Sequence, residues 1–334
     1  MNRFSPFRLA GPIVLAGLAT FATIAASPAQ AVDAKRKCFF ISSYHPGYDH
    51  SDAIERGLRA TLDGKCEVRQ FNMDAKRKTS EAERKDQAAA ARGIIESWQP
   101  DIVITADDEA AKYVIQAHYK DAKLPFVFCG INWTATEYGF PYNNATGMIE
   151  VAPIVPMIEK AAQIVPSFRR AFYLGSASLT EEKNLARFER ASKQLGFQLD
   201  HKLVPTTEAW IETYAAAQEY DVVIVGNSEG IKDWDPARAR AAVLESTRRL
   251  SVTNHDWMMP WTILGVTKVS EEQGEWAART ALRILDGVKP AEIPVVPNSR
   301  RDFWINDDIL AASRVQLPRA LLETAKKVAG LEAR

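Results

Sequence analysis

A cluster of polar and aromatic residues follows the first apolar segment of the chain. Within the turn SYHPGY this cluster comprises Ser43, Tyr44, His45 and Tyr48. Such groups can bind a polar ligand, and a triad of Ser43, His45 and Asp49 is chemically conceivable. Residues this close on one turn seldom reach the geometry of nucleophile and base, because triads usually draw on separate loops. We therefore interpret the turn as a ligand contact and expect His50 and Asp52 to form the solvated start of a helix.

Similar side chains follow the later apolar segments, each where a predicted strand ends. They carry hydroxyl, amide, carboxylate or indole groups: Asp107, Asp108, Asn132, Trp133, Ser176, Asn227, Ser228, Glu229 and Trp261. Because open parallel sheets bind ligands at the carboxyl ends of their strands, the pattern predicts a site for a small polar or aromatic ligand. Simpler interpretations stay open for single positions. An aspartate after a strand can cap the next helix, Trp261 can be a core residue, and His45 can be a solvated turn residue.

Sequence motifs of catalysis and cofactor binding are absent. The chain has no GxSxG, P-loop, HExxH or GxGxxG after a strand, and no Cys/His spacing that suits zinc. Asp107 and Glu229 could form a carboxylate pair across a cleft, as in a glycosidase. We expect a binding protein with no catalytic residue, no cofactor and no metal, and keep an exported hydrolase as an alternative.

Short apolar segments alternate with amphipathic ones along the chain. Segments such as CFFIS, DIVITA and PFVFCGI are apolar on both faces, as in parallel strands covered by helices, and the Ala-rich stretch from about Glu81 to Trp98 has helical periodicity. The irregular stretch NWTATEYGFPYNNATG separates two strand–helix sets of similar size. This organisation favours an α/β fold of two doubly wound parallel-sheet lobes joined by hinge crossovers, with a single (β/α)8 barrel as the main alternative.

The first 31 residues have the features of an export signal. Arg3 and Arg8 flank the start of the apolar run LAGPIVLAGLATFATIAA, and Ala29-Gln30-Ala31 fits a small-x-small cleavage pattern. A membrane anchor is the alternative interpretation. We expect cleavage after Ala31 and a periplasmic mature protein. Lys plus Arg equals Asp plus Glu at 42 each, so the charge does not indicate nucleic acid or an anionic membrane as a partner.

The three cysteines fit an exported protein that does not depend on a disulfide framework. Cys38 and Cys66 each open a predicted strand. If those strands are neighbours, the two cysteines can form one bridge; otherwise they are two buried thiols.

Several longer segments resemble the ABC transporter solute-binding family that includes tryptophan- and tyrosine-type proteins. They are LPFVFCGINWTATEYG, NNATGMIEVAPIVPMIEKAAQIVPSFRRAFYLG, AARTALRILDGVKPAEIPV and DFWINDDILAASRVQLPRALLETA. Thr146-Gly147, Pro166 and RRAFYLG follow one another in the family's order. The resemblance covers nearly all of the mature chain and implies a type I periplasmic binding protein fold. We expect an N-terminal lobe of residues 32–150 plus about 262–290, and a C-terminal lobe of residues 151–261 plus about 291–334.

The resemblance also implies a function, namely a monomeric receptor that closes its lobes on a solute and delivers it to an ABC transporter permease. By position, the family's ligand contacts match Ser43, Asp107, Asn132, Ser176 and Asn227. The first turn, SSYHPGYDHSD, is more aromatic than is usual in the family. It resembles binding domains associated with sensor histidine kinases, so a sensory receptor is an alternative.

Overall fold

The computed structural model describes Met1 and residues 35–328. The predicted signal peptide after Met1 and its cleavage site lie outside the described residues. All elements belong to the unit Lys35–Arg334, one of the two compact units into which the chain divides. None of the helices in the described range has the length and hydropathy that a membrane crossing requires.

Strands and helices alternate through most of this unit. The strands are β1 (Arg36–Ser42), β2 (Cys66–Asn72), β3 (Ile102–Ala106), β4 (Phe126–Asn132), β5 (Ala145–Glu150), β6 (Arg170–Ser176), β7 (Gln198–Val204), β8 (Val222–Val225), β9 (Leu250–Thr253), β10 (Leu264–Lys268), β11 (Val296–Pro297), β12 (Arg301–Asn306) and β13 (Lys326–Val328). The helices are α1 (Asp49–Leu62), α2 (Glu81–Trp98), α3 (Asp107–Ala110, continued by a π-helical segment Ala111–Tyr119), α4 (Ile154–Ile164), α5 (Leu179–Leu195), α6 (Thr207–Ala216), α7 (Pro236–Ser246), α8 (Ser270–Leu285), α9 (Asp307–Ala312) and α10 (Arg319–Thr324). Short 3-10 turns cover Thr136–Tyr138, Ala217–Glu219, Asp256–Trp261 and Pro290–Glu292.

The strands form two separate sheets. A six-stranded parallel sheet has the order β11-β5-β4-β3-β1-β2, and a seven-stranded sheet has the order β13-β12-β10-β9-β8-β6-β7. In the second sheet β12 runs antiparallel to β10 and carries β13 parallel to itself, while the other pairs are parallel. We call the two halves the N-lobe and the C-lobe. The prediction of an α/β fold with two parallel-sheet lobes is therefore confirmed.

The chain passes between the lobes three times, after β5, after β10 and after β11. Strand β10 was expected within the N-lobe segment 262–290, but it pairs with β9 and β12 in the C-lobe sheet. Strand β11 was expected in the C-lobe and pairs with β5 in the N-lobe. An apolar pattern predicts a strand without specifying the sheet edge that it extends, so these exchange points lie later in the chain than we predicted.

Buried apolar side chains cover both faces of the N-lobe sheet. One face packs the strands against α2 and the π-helical segment, and the other packs them against α1 and α8. Strands β1 and β2 are parallel neighbours, and a disulfide joins Cys38 to Cys66 across them with the two Cα atoms 5.8 Å apart. The C-lobe has one continuous core built around β6, β8 and β9.

Helices α1 and α8 approach each other closely because a glycine lies on each side of their contact. A Cβ atom on Gly274 would lie 1.9 Å from the carbonyl oxygen of Ile54, and one on Gly57 would lie 2.3 Å from that of Glu271. These obstacles are backbone atoms, which cannot rotate away. The two glycines thus fix how α8 covers the buried residues of α1.

We expect Gly274→Ala to lower the free energy of unfolding by about 1–3 kcal/mol, because the added methyl group must push the two backbones apart. Urea denaturation measures this change. Gly93→Ala in α2 is the matched control, since a Cβ atom at that position would have no neighbour within 4 Å; it should be neutral or stabilising by up to about 1 kcal/mol. Equal stability of the two variants would contradict the proposed role of Gly274.

Candidate ligand-binding cleft

The first turn of the N-lobe presents two tyrosine rings. Tyr44 and Tyr48 meet edge to face with ring centroids 5.4 Å apart. The ammonium of Lys76 lies 4.7 Å from the first ring centroid and 4.9 Å from the second. His45 lies beside them, with Nδ1 at 3.6 Å from Asp74 Oδ1. This wall of the N-lobe is aromatic and already places a cation against the tyrosine faces.

Carboxylates flank these rings. Asp108 accepts hydrogen bonds from Asn132 Nδ2 at 2.6 Å and from the Tyr138 hydroxyl at 2.9 Å, so it holds the end of β4 and the following loop together. Burial raises the pKa of Tyr44, and the negative charges of Asp107, Glu109 and Asp108 raise it further. The N-lobe wall is therefore acidic as well as aromatic, which favours hydrogen-bond donors or a positive group on a ligand.

Ser43 lies beneath this wall. It is fully buried, and its hydroxyl donates to Ala106 O at 2.5 Å and accepts from the Ala110 backbone N–H at 2.9 Å. Both bonds hold β1 against the start of α3. We therefore assign Ser43 to supporting the turn in place of the predicted ligand contact.

A buried network of ionisable groups lies where the N-lobe meets the crossovers. His50 Nε2 is 3.0 Å from Asp107 Oδ1 and 3.5 Å from Glu150 Oε2, and its Nδ1 is 2.8 Å from Ser270 Oγ. Glu150 in turn pairs with Lys268. The expectation that His50 is solvated is wrong, because its side chain is only 15% exposed and contacts groups at the start of α3, the end of β5 and the start of α8.

The two strands that lead out of and back into the N-lobe end in this network. Glu150 is the last residue of β5 and Lys268 the last of β10, so their ion pair joins two of the three crossovers. Asp107, also buried, has a positive φ of 71°, and a Cβ on the neighbouring Gly130 would lie 2.8 Å from its Oδ1. Because Gly130 has no side chain, it leaves the space that the Asp107 carboxylate occupies in this conformation.

The C-lobe contributes a second wall around Asn227. Its Oδ1 accepts hydrogen bonds from Trp257 Nε1 at 3.3 Å and from the Glu229 backbone N–H at 2.9 Å, and its Nδ2 donates to Glu229 Oε2 at 3.2 Å. Trp257 is 42% exposed, and its ring lies 4.5 Å from the His255 ring. Burial, together with Lys268, lowers the pKa of His255 to about 4, so this imidazole is neutral near pH 7.

A buried carboxylate supports this wall from below. Glu181 accepts hydrogen bonds at Oε2 from the Tyr173 hydroxyl at 2.6 Å and from the Asn227 backbone N–H at 3.0 Å. Added Cβ atoms on Gly175 and Gly226 would lie 2.3 and 2.2 Å from this oxygen. The absence of side chains at these glycines therefore makes room for the carboxylate that orients the Asn227 turn.

Trp133 is directed toward the crossovers. Its ring lies 3.9 Å from the guanidinium carbon of Arg187 on α5 and packs against the C-lobe core. It lines a cavity of about 420 Å3 that we call the hinge cavity, together with residues 151–156 after β5, Arg187, Arg190, Ala191 and Gln194 of α5, and residues 297–301 between the sheets. Trp133 thus contacts the C-lobe across the crossovers.

The model of the family described as ABC transporter substrate binding protein matches residues 44–329. The chain belongs to this family. None of the curated proteins matches this binding protein.

Solved structures of binding proteins share its fold. A substrate binding protein with adhesive properties from Clostridium difficile, in its ligand-free, open form, has a TM-score of 0.71 at 14% identity, over 89% of this chain and 100% of that one. An ABC domain in complex with L-Trp from Streptococcus pneumonia has a TM-score of 0.53 at 19% identity, over 87% and 100% of the two chains. A solute binding protein from Rhodopseudomonas palustris in complex with 3,4-dihydroxy benzoic acid has a TM-score of 0.52 at 12% identity, over 75% and 80%. The TM-scores show a common fold, and at these identities the likeness extends to the fold alone.

Eleven of the thirteen predicted contacts of the binding protein fall into two groups, while Trp133, which lines the hinge cavity, and Trp261 fall outside both. The first remains partly accessible at the carboxyl ends of strands: Tyr44, His45, Tyr48, Asp108, Asn132 and Glu229. The second is buried and supports the walls: Ser43, Asp107, Ser176, Asn227 and Ser228. Trp261 belongs to neither, because it is buried, packs edge to face on Trp234 and donates to Pro236 O. Trp261 was predicted to contact the ligand, but it is a core residue. Trp257 is the exposed indole of the same segment.

Several residues of the site were not predicted. Lys76 lies in a turn after β2 whose sequence carries no ligand pattern, and His50 was placed on a solvated helix start. Their roles depend on contacts between segments far apart in the chain, since His50 and Ser270 are separated by 220 residues. The only local signal was the density of aromatic and imidazole groups around His50.

Protonation of His50 should stabilise the fold. Burial opposes its charged form, but Glu150 and Asp107 outweigh burial and raise the pKa of His50 above its ordinary value. A raised pKa in the folded state contributes stability that is full below about pH 6.5 and is lost as the pH rises through the folded-state pKa. We expect the unfolding free energy of the wild type, relative to His50→Gln, to fall above about pH 6.5 by up to about 1.4 kcal/mol per pH unit.

Denaturant titrations at several pH values between about 5.5 and 9 measure this difference, because that range runs from below the ordinary histidine pKa of about 6.5 to well above it. His201→Gln is the matched control, because His201 is exposed on β7 and belongs to no such network. Its difference from the wild type should stay nearly constant. A constant difference for His50→Gln as well would show that the imidazole does not bind a proton more tightly in the folded protein.

Proposed function

We propose that this protein is a periplasmic receptor that captures a small polar or aromatic solute between its lobes and delivers it to an ABC transporter permease. The observation that carries the proposal is the pair of polar, aromatic walls at the carboxyl ends of both sheets in a member of the substrate binding family. Hydroxyl, amide, carboxylate and indole groups of this kind select a ligand by hydrogen bonds and stacking. The export signal predicted over residues 1–31 supports export.

Closure of the lobes is the proposed mechanism. Among the described residues, no hydrogen bond or ion pair joins the Tyr44–Tyr48 turn to the Asn227 or Trp257 segments. A ligand that touches both walls only in a closed form would shift the balance toward that form, because its affinity differs between the two forms. The three crossovers would serve as the hinge.

Each wall suits a different part of the ligand. The tyrosine rings with Asp108 and Glu109 favour a group that donates hydrogen bonds or carries positive charge, and Lys76 would leave the ring faces when such a group binds. Trp257 offers its exposed face for stacking on a ring. The neutral imidazole of His255, whose Nε2 is buried and has no hydrogen-bond partner among the described residues, can bond the ligand's polar edge.

A thermal-shift screen of amino acids, aromatic acids and nucleosides should identify the ligand. At about one hundred times its Kd, a ligand that binds only the folded state adds about 2.7 kcal/mol to the unfolding free energy. We expect Tyr48→Ala and Trp257→Ala each to weaken that ligand's binding by at least about tenfold, a typical loss for an aromatic contact, as measured by isothermal titration calorimetry. The two substitutions remove contacts from opposite walls.

Tyr220→Ala is the matched control. Tyr220 lies just before β8, at the end of the C-lobe sheet opposite to the cleft, and its ring packs on Phe172. Its removal should leave the affinity within about twofold, an effect below the threshold of a hot spot. Unchanged affinity in both wall variants would refute the assignment of the cleft. Uptake of the identified ligand that does not require this protein would refute delivery to a permease.

A further inference from the structure

The hinge cavity is separate from the proposed cleft. None of its lining residues belongs to the Tyr44–Tyr48 turn or to the Asn227, His255 or Trp257 positions. Its volume of about 420 Å3 falls within the range of about 300–1,000 Å3 that small-molecule sites occupy. A ligand of modest size could therefore bind here independently of the solute in the cleft.

Three of the four arginines that line this cavity lack acidic partners among the described residues. Arg187, Arg190 and Arg301 line it, and within the described part of the chain none of the three forms an ion pair with a carboxylate. Arg300 is the exception, with Nη1 at 2.8 Å from Glu275 Oε2. No acidic side chain of the described residues lines the cavity. An anion bound here would therefore meet unopposed guanidinium groups, which bind carboxylates in a two-pronged geometry.

Arg187 is held in place for such a role. Its guanidinium stacks on the Trp133 ring at 3.9 Å, and its Nη1 donates to Asn184 Oδ1 at 2.9 Å. Burial, together with the charge of Arg190 one turn away, lowers the pKa of Arg187. A neighbouring anion would relieve this repulsion, since it would interact favourably with both arginines.

The rest of the cavity surface is largely apolar. Pro153, Ile154, Pro156 and Ala191 line it beside the Trp133 ring. An inorganic anion would pair with the arginines but would leave this apolar surface in contact with water. A ring or short hydrocarbon that carries a carboxylate would use both, because apolar contact and ion pairing would then come from adjacent parts of one molecule.

We propose that the hinge cavity is a second ligand site, which binds a small organic carboxylate through Arg187, Arg190 and Arg301 with its apolar body against Trp133 and the prolines. The site is formed by the N-lobe residue Trp133, by segments of two crossovers and by helix α5 of the C-lobe. The proposal does not depend on the identity of the solute in the cleft.

Isothermal titration of the full mature chain with benzoate tests the proposal, and benzamide and inorganic phosphate serve as companion probes. Measurement in the Trp257→Ala background keeps binding in the cleft from contributing. We expect benzoate to bind there, benzamide to bind at least about tenfold more weakly because it lacks the charge, and phosphate to bind more weakly than benzoate because it lacks the apolar body. The combined Arg190→Gln and Arg301→Gln substitutions should weaken benzoate at least about tenfold, as expected when charge-assisted hydrogen bonds are lost.

Arg314→Gln is the matched control, because Arg314 lies outside the cavity; it should not change benzoate affinity. Arg190 and Arg301 are both exposed, so their replacement should leave the thermal stability unchanged. Absence of benzoate binding in the Trp257→Ala background would overturn the proposal. So would equal binding of benzamide, tighter binding of phosphate, or an affinity that the double substitution does not alter.

Discussion

The contact on which the rest of this structure depends is the buried ionic network of His50, Asp107, Glu150 and Lys268. It gathers the starts of α1 and α3 and two of the three crossovers at one point. Burying the ionisable groups of His50, Asp107 and Glu150 is costly unless each finds a partner of opposite charge. This arrangement pairs the two carboxylates with the imidazole and with the partly exposed ammonium of Lys268. The position of the crossovers relative to the N-lobe sheet is thereby tied to the N-lobe wall of the cleft.

Each wall of the cleft is supported from within by a carboxylate that the ligand need not touch. In the N-lobe Asp107 adopts a left-handed backbone conformation against Gly130, and in the C-lobe Glu181 is enclosed between Gly175 and Gly226. Unlike Asp107, Glu181 accepts its hydrogen bonds from neutral groups. Burial raises the pKa of both carboxyl groups. Both carboxylates orient backbone or side chains at the carboxyl ends of strands, so the walls are largely formed before any ligand arrives.

Local features were predictable from the sequence where a short segment determines its own structure. Helix α2 has the predicted bounds because Ser80 and Glu83 form a reciprocal capping box at its start. Strands β3 and β4 were recognisable because they are buried on both faces. The neighbouring strands of β10 and β11 were not predictable in this way. Each strand lies in the sheet of the lobe opposite to the predicted one, because pairing at a sheet edge depends on the rest of the fold. Trp257 and Trp261 share one 3-10 turn, and only the packing of Trp234 decides which indole is buried.

The contact between α1 and α8 has a consequence for the order in which this chain can fold. Ile54 and Leu58 of α1 are completely buried against a helix that begins at Ser270, after five of the seven C-lobe strands have been synthesised. The N-lobe therefore cannot complete its core until α8 has been synthesised, although the segment that ends with β5 is finished much earlier. A contact between residues so far apart in sequence also forms slowly. Until α8 arrives, the apolar face of α1 stays open to other chains, so the nascent N-lobe needs protection from aggregation for longer than its position at the start of the sequence suggests.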